Sequence, residues 1–241
     1  RGGFPVTQDL KRLNAPKSWP VPRKSNVWVT SPNPGPHSLD GCMPLSVVLR
    51  DMLKVVDTAA EAKKVLSAKK VLVDGKVVTE EKFPVGLMDV VSIPANGKHY
   101  RMLLDDRGKF ILVDITEDRA KWKLCRIENK TYVSGGRLQL NLHDGRNILV
   151  ESDSYKTGDV LKIEVPTQKI LEAFKLVQGN VAMIVSGSNA GQINVVDEQI
   201  EERSTAPNLV RFKNGTLTVK DNVFVIGNKT PEVILPEVRA A

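Results

Sequence analysis

The string Val71-Leu72-Val73-Asp74-Gly75-Lys76-Val77-Val78 constrains this chain more than any other. Two short β-forming runs flank an Asp-Gly pair, and both residues of such a pair tolerate the positive φ of a type I′ turn. A two-residue turn joins antiparallel neighbours, so the string predicts a tight hairpin. The residues before it keep a different period. Leu45, Val48, Leu49, Met52 and Val56 recur at helical spacing, with Ser46, Arg50, Asp51 and Lys54 on the other face. Thr58 and Glu61 then form a capping box that opens a second helix. That helix is expected to turn Ala59, Ala62, Val65 and Leu66 inward and Lys63 and Lys64 outward, with Lys69 and Lys70 at its end, where cations suit the helix dipole. Asp89-Val90-Val91-Ser92-Ile93 reads as a further strand.

Charge narrows the partner. The chain carries a formal net charge of +7 on 241 residues, which favours a polyanion. The first 24 residues hold six basic residues, Arg1, Lys11, Arg12, Lys17, Arg23 and Lys24, against Asp9 alone. From Leu45 to Lys82, eight basic residues face six acidic ones, so binding there depends on sorting charge by face. The basic arm runs into Pro16, Pro20, Pro22, Pro32, Pro34 and Pro36, which defeats helix and central strand alike. Two readings are open: a floppy tail, or an extension that orders along a phosphate backbone. Trp19 and Trp28 favour order, since large aromatics stack on bases or dock on protein.

Beyond Lys98 the chain reads as short strands. Phe110–Val113 and Asn147–Val150 are apolar runs, and Leu161–Val165 alternates, with turns at Gly108, Gly135-Gly136, Asp144-Gly145 and Gly158-Asp159. Small antiparallel barrels are the expected outcome. Arg119, Lys121, Lys123, Arg126 and Lys130, interleaved with Trp122 and Tyr132, read either as a second basic cluster or as solvated strand surface. Val181, Met183 and Val185 alternate before a loop framed by Gly187 and Gly191, and Ile193 and Val195 resume the pattern. The acidic residues Asp197, Glu198, Glu201 and Glu202 follow, facing solvent or a protein neighbour. Three more strand candidates close the chain, two of them joined by Asn214-Gly215.

Several functions drop out. No run approaches the ~18 apolar residues of a membrane span, and no signal stretch opens the sequence. Cys42 and Cys125 stand alone, which argues against a disulfide framework or a CxxC zinc site and suits a reducing cytosol. His37, His99 and His143 lack metal-ligand spacing, and His143-Asp144-Gly145 reads as a turn. No nucleophile with a base, cofactor loop or carboxylate pair emerges, so no catalytic residue, metal, cofactor or small-molecule substrate is expected.

L-R-D-x-L, A-A-E-A-K-K-V-L, K-V-L-V-D-G-K-V-V and G-L-M-D-V-V together resemble the S4-type RNA-binding module. The Val181–Val196 segment is similar to a KOW motif, although Ser186, Ser188, Asn189 and Gln192 stand where that family has basic residues. With Leu10–Trp19, Ser31–His37 and Lys82–Val90, the order of parts resembles the archaeal and eukaryotic S4e family of small-subunit ribosomal proteins.

The resemblance implies an α+β, multidomain, mainly β chain: a basic extension (1–40), an S4-type module (41–96), a central β-rich domain (97–175) and a KOW/SH3-like barrel (176–241). It implies a structural, non-catalytic constituent of the small subunit in the cytoplasm, with ribosomal RNA and neighbouring ribosomal proteins as partners. The RNA-binding residues it points to are Lys11, Arg12, Lys17, Trp19, Arg23 and Lys24 in the arm, and Arg50, Lys54, Lys63, Lys64, Lys69, Lys70, Asp74, Gly75 and Lys76 in the module. Gly187 and Gly191 complete the set in the last loop. The alternatives are an RNA-modifying enzyme of the pseudouridine-synthase kind docking through the same module, and a KOW-type transcription accessory.

Overall fold

The computed structural model describes residues 10–201 and 206–235, so Arg1, Asp9 and Glu202 lie outside the described residues. The hairpin forms as expected: Leu72–Val73 pairs with Lys76–Val77 around Asp74 (φ 49°) and Gly75 (φ 74°). The second helix, Ala59–Ser67, is capped by Thr58 Oγ1, which accepts from the Glu61 amide at 3.2 Å. It buries Ala62 and Leu66 and half-buries Val65; Ala59, expected inside, is exposed. The first helix is shorter than its periodicity suggests. One α turn, Leu45–Val47, widens into a π-helix, Val48–Met52, and the chain leaves it through Lys54 at φ 52°.

The sheet seeded by the hairpin keeps growing. Its strand order is Lys76–Val77, Leu72–Val73, Val90–Ile93, Lys98–Leu104, Phe110–Ile115. Val90–Ile93 pairs with Lys98–Arg101, so the boundary expected at 96/97 cuts through a continuous five-stranded sheet. Sequence spacing could not show this, because strand pairing is set by tertiary burial.

Two further antiparallel sheets follow. The central one holds Trp122–Val133, Arg137–Leu142, Asn147–Val150, Val160–Glu164 and Ile170–Phe174 around its own core of Cys125, Ile127, Leu138, Leu140, Leu142, Leu161 and Ile163. In the last sheet, Val181–Ile184 lies between Ile193–Ile200 and Val223–Gly227, and Leu209–Phe212 and Leu217–Val219 extend the edge. The larger core runs unbroken from the arm through the module into this last sheet.

From Leu10 onward the arm is docked on the protein. Trp19 is 1% exposed and donates its indole N–H to the Cys42 carbonyl at 2.7 Å. Ala15, Val21 and Val29 join the same core. Leu10–Lys11 pairs with Trp28–Val29, and the Phe110 amide donates to the Ser18 carbonyl. The prolines prevent regular structure without preventing burial: tertiary contacts offset the ordering entropy that such a segment cannot meet alone.

The Gly187–Gly191 loop meets the turn between Lys98–Leu104 and Phe110–Ile115. Gly191 is buried at φ 91°, and a Cβ there would overlap the Asp105 carbonyl. Replacing Gly191 with Ala is expected to cost about 1–3 kcal/mol, the scale of a strained backbone position, read as a lower urea midpoint. An unchanged midpoint would mean that the loop is not wedged there.

Candidate nucleic-acid interface

The basic residues fall into two groups once their partners are known. The first group is committed to the protein itself. Arg12 is 6% exposed and donates to the Pro22 carbonyl; Arg23 donates to the carbonyls of Leu13, Ala15 and Pro16. Both were expected to grip RNA and instead staple the arm. Trp19, buried in the core, cannot stack on a base. Arg50 is held bidentately by Asp51, with both hydrogen bonds at 2.9 Å, which raises its pKa. The suggested second cluster is likewise engaged: Arg126 donates to the Val223 carbonyl, Lys130 pairs with Asp153 and Lys121 with Asp118. Trp122 lies between the Arg101 guanidinium (4.2 Å) and the Lys162 ammonium (4.5 Å).

The second group is free. Lys11, Lys17, Lys24, Lys54, Lys63, Lys64, Lys69, Lys70 and Lys76 are all exposed, and among the described residues none forms an ion pair. Lys63 and Lys64 stand on the solvent face of Ala59–Ser67, and Lys69 (φ 57°) and Lys70 continue from its C-terminal end. Lys54 extends from the exit of the π-helix and Lys76 from the hairpin. Gly75 is exposed, while its neighbour Asp74 is 5% exposed and points the other way. Gly187 is exposed at φ 91°; Gly191 serves packing, not ligand approach.

Asp74 leads to what sequence reasoning missed. Lys123, 0% exposed, reaches three carboxylates: Asp74 at 2.9 Å, Asp89 at 2.6 Å and Asp144 at 2.9 Å. Arg146 bridges Asp74 (2.6 Å) and Asp144 (3.0 Å). His37 of the arm meets Asp89 at 2.9 Å, and Asp89 also accepts from the Gly86 amide. Asp74 accepts from the Val90 amide. The family-like Asp-Gly turn therefore does more than bend the chain: its carboxylate ties the module to the central sheet. One signal was available. Lys123, Cys125 and Ile127 alternate on one strand face, which places a lysine among apolar neighbours.

Burial alone would raise the Asp89 and Asp144 carboxyls and lower the Lys123 ammonium. The pairing wins in each case. His37 and Lys123 drive Asp89 well below the carboxylate range, Lys123 holds Asp144 to about 2, and Asp74 and Asp89 keep Lys123 charged. His143 accepts from the Arg126 amide and directs its other ring nitrogen at the Leu87 carbonyl; burial, helped by the Lys123 ammonium, pushes it down to about 3. Cys125, His143 and Asp144 bring potential metal ligands within 4.8 Å of one another. The Lys123 ammonium already satisfies that carboxylate, and burial raises the Cys125 thiol well above its usual range. The cluster reads as a structural ion web.

Comparison with known proteins fits this layout. The family model described as Ribosomal family S4e matches residues 96–170, the RS4NT domain matches 6–40 and the S4 domain matches 43–91. A small ribosomal subunit protein eS4 from Methanothermobacter thermautotrophicus is 44% identical over 231 residues, covering 94% of this chain and 95% of the relative. Its counterpart from Methanocaldococcus jannaschii is 45% identical over 238 residues, covering 94% and 96%. The crystal structure of the 30S ribosomal protein S4e from Thermoplasma acidophilum superposes with a TM-score of 0.69 at 41% identity, covering 78% of this chain and 96% of that one.

Proposed function

The chain belongs to the S4e family of ribosomal proteins, and from that premise we infer that it is a structural constituent of the small ribosomal subunit. It binds ribosomal RNA, stabilises its fold beside neighbouring ribosomal proteins and resides on the ribosome in the cytoplasm. It is not an enzyme: the relatives are named as ribosomal proteins, and neither the RNA-modifying nor the transcription reading is favoured. Among the described residues no helix is long and apolar enough to cross a membrane.

One observation carries the choice of surface: Lys54, Lys63, Lys64, Lys69, Lys70 and Lys76 of the module are exposed and unpaired, while Lys123, Arg126 and Lys130 of the central sheet are paired within the protein. Unpaired ammonium groups neutralise phosphates and release counterions without reading sequence. A rigid scaffold then selects the shape of folded RNA, whose deep major groove resists side-chain reading. The continuous sheet supports treating the module as extending to about residue 115, between an arm (1–40), a central sheet and a last sheet that begins near 176.

Converting Lys63, Lys64, Lys69 and Lys70 to Ala together is expected to weaken binding to a small-subunit rRNA transcript about tenfold at moderate salt. The slope of log affinity against log salt should flatten by up to ~0.9 for each phosphate that is no longer neutralised. An unchanged slope across the salt titration would remove this face from the interface.

A further inference from the structure

Trp28 is 56% exposed and stands on the rim of two open hollows. The larger, about 910 Å³, is lined on one side by Arg12 and Asn26 of the arm and on the other by Arg50, Asp51 and Asp57 of the module. The smaller, about 180 Å³, includes Ser46. Each hollow is walled by a buried polar side chain with an unpartnered atom: Arg12 Nε in one and Ser46 Oγ in the other. Buried polar atoms in folded proteins are nearly always hydrogen-bonded, so such orphans beside an opening point to a ligand with polar atoms of its own.

Charge decides the kind of ligand. Arg12 and Arg50 are balanced in the larger hollow by Asp51 and Asp57, and Arg50 is already paired with Asp51. A phosphate gains little from a balanced set and is repelled by its carboxylates. A nucleobase is flat and neutral and carries donors and acceptors on its edge, so it suits such a set. The aromatic face for it is Trp28, and the unpaired Lys11, opposite Trp28 in the pairing of Leu10–Lys11 with Trp28–Val29, is placed for an adjoining phosphate.

We propose that this cleft receives a single unpaired RNA base, stacked on Trp28 with its edge turned toward Arg12, Asp51 and Asp57. The proposal rests on the rRNA reading and deepens it. The lysine face holds backbone in any sequence, while the Trp28 cleft selects a place where a base is free of its partner.

Tryptophan fluorescence tests it, because Trp19 is buried and Trp122 is covered by two cations, leaving Trp28 as the exposed indole. Short single-stranded oligoribonucleotides are expected to quench the full chain. A fully paired duplex of the same composition should not. Trp28→Ala should abolish the quench and weaken binding of a bulged rRNA hairpin roughly tenfold, within the range of one base–aromatic stack removed, and Trp28→Phe, though silent in tryptophan emission, should retain most of the binding. Binding of the paired duplex should stay unchanged. Equal weakening on paired and bulged RNA, or no weakening, overturns the cleft while leaving rRNA binding intact. A change in Trp28 emission with extracted small-subunit proteins but not with RNA would also overturn it, making this a protein interface. Failure of the wild-type chain to bind any rRNA transcript would instead sink the underlying reading.

Discussion

Replacing Lys123 with Met should lower stability by about 3–5 kcal/mol, the usual cost of removing one partner from a buried ion pair. Methionine fills similar space, so the loss is electrostatic. Asp74, Asp89 and Asp144 would remain in a poorly hydrated interior with the Arg146 guanidinium as the one cation beside His37, supplemented by three backbone amides and the Cys125 thiol. For a chain of this length, that corresponds to a fall in melting temperature on the order of 10 °C, readable by circular dichroism. Adding Asp144→Asn to Lys123→Met should recover part of the loss, because the pair would then leave together. A single-variant melting curve that overlays the wild type would show that the web contributes nothing.

Acid should weaken the fold in two stages. His143 is partly buried and held neutral, with its pKa near 3 against an ordinary value of about 6.5. Below pH 6.5 the unfolded chain takes up a proton that the folded chain refuses, so stability is full above that pH and declines as pH falls toward 3. The slope approaches ~1.4 kcal/mol per pH unit for one proton, for a total on the order of 2–4 kcal/mol given partial exposure. The carboxylates act in the same direction, because they too refuse a proton that the unfolded chain accepts. Asp89 and Asp144 have depressed pKa values, so their contribution holds above about pH 4 and disappears as pH drops through their folded values, about 2 for Asp144. Urea unfolding from pH 8 to pH 4 measures the first stage. His143→Gln should flatten it; a wild-type profile that is level across this range would refute the neutral-imidazole assignment.

Local chemistry made part of this fold legible. The Asp74-Gly75 turn and the Thr58 cap depend on residues within four positions of one another, and both stand where the sequence placed them. The docking of the arm stays open in the sequence, because proline content limits regular ladders but says nothing about whether an indole finds a carbonyl 23 residues away. Lys123 was placed among surface cations because its three carboxylates come from Asp74, Asp89 and Asp144, and only the tertiary fold brings them together. Residue type led to lysines that stand exposed and unpaired, but also to Arg12, Arg23 and Arg50, which are held within the protein, since planar guanidinium donors suit backbone carbonyls and carboxylates as well as phosphates.

The early docking of residues 10–40 has a thermodynamic corollary. A leader that hardened only on meeting RNA would surrender its freedom at that moment and leave a large calorimetric signature. Here the indole of Trp19 and the imidazole of His37 are already seated, so assembly should spend little on organising this stretch. Calorimetry of RNA binding is then expected to show no large heat-capacity term from hardening of residues 10–40.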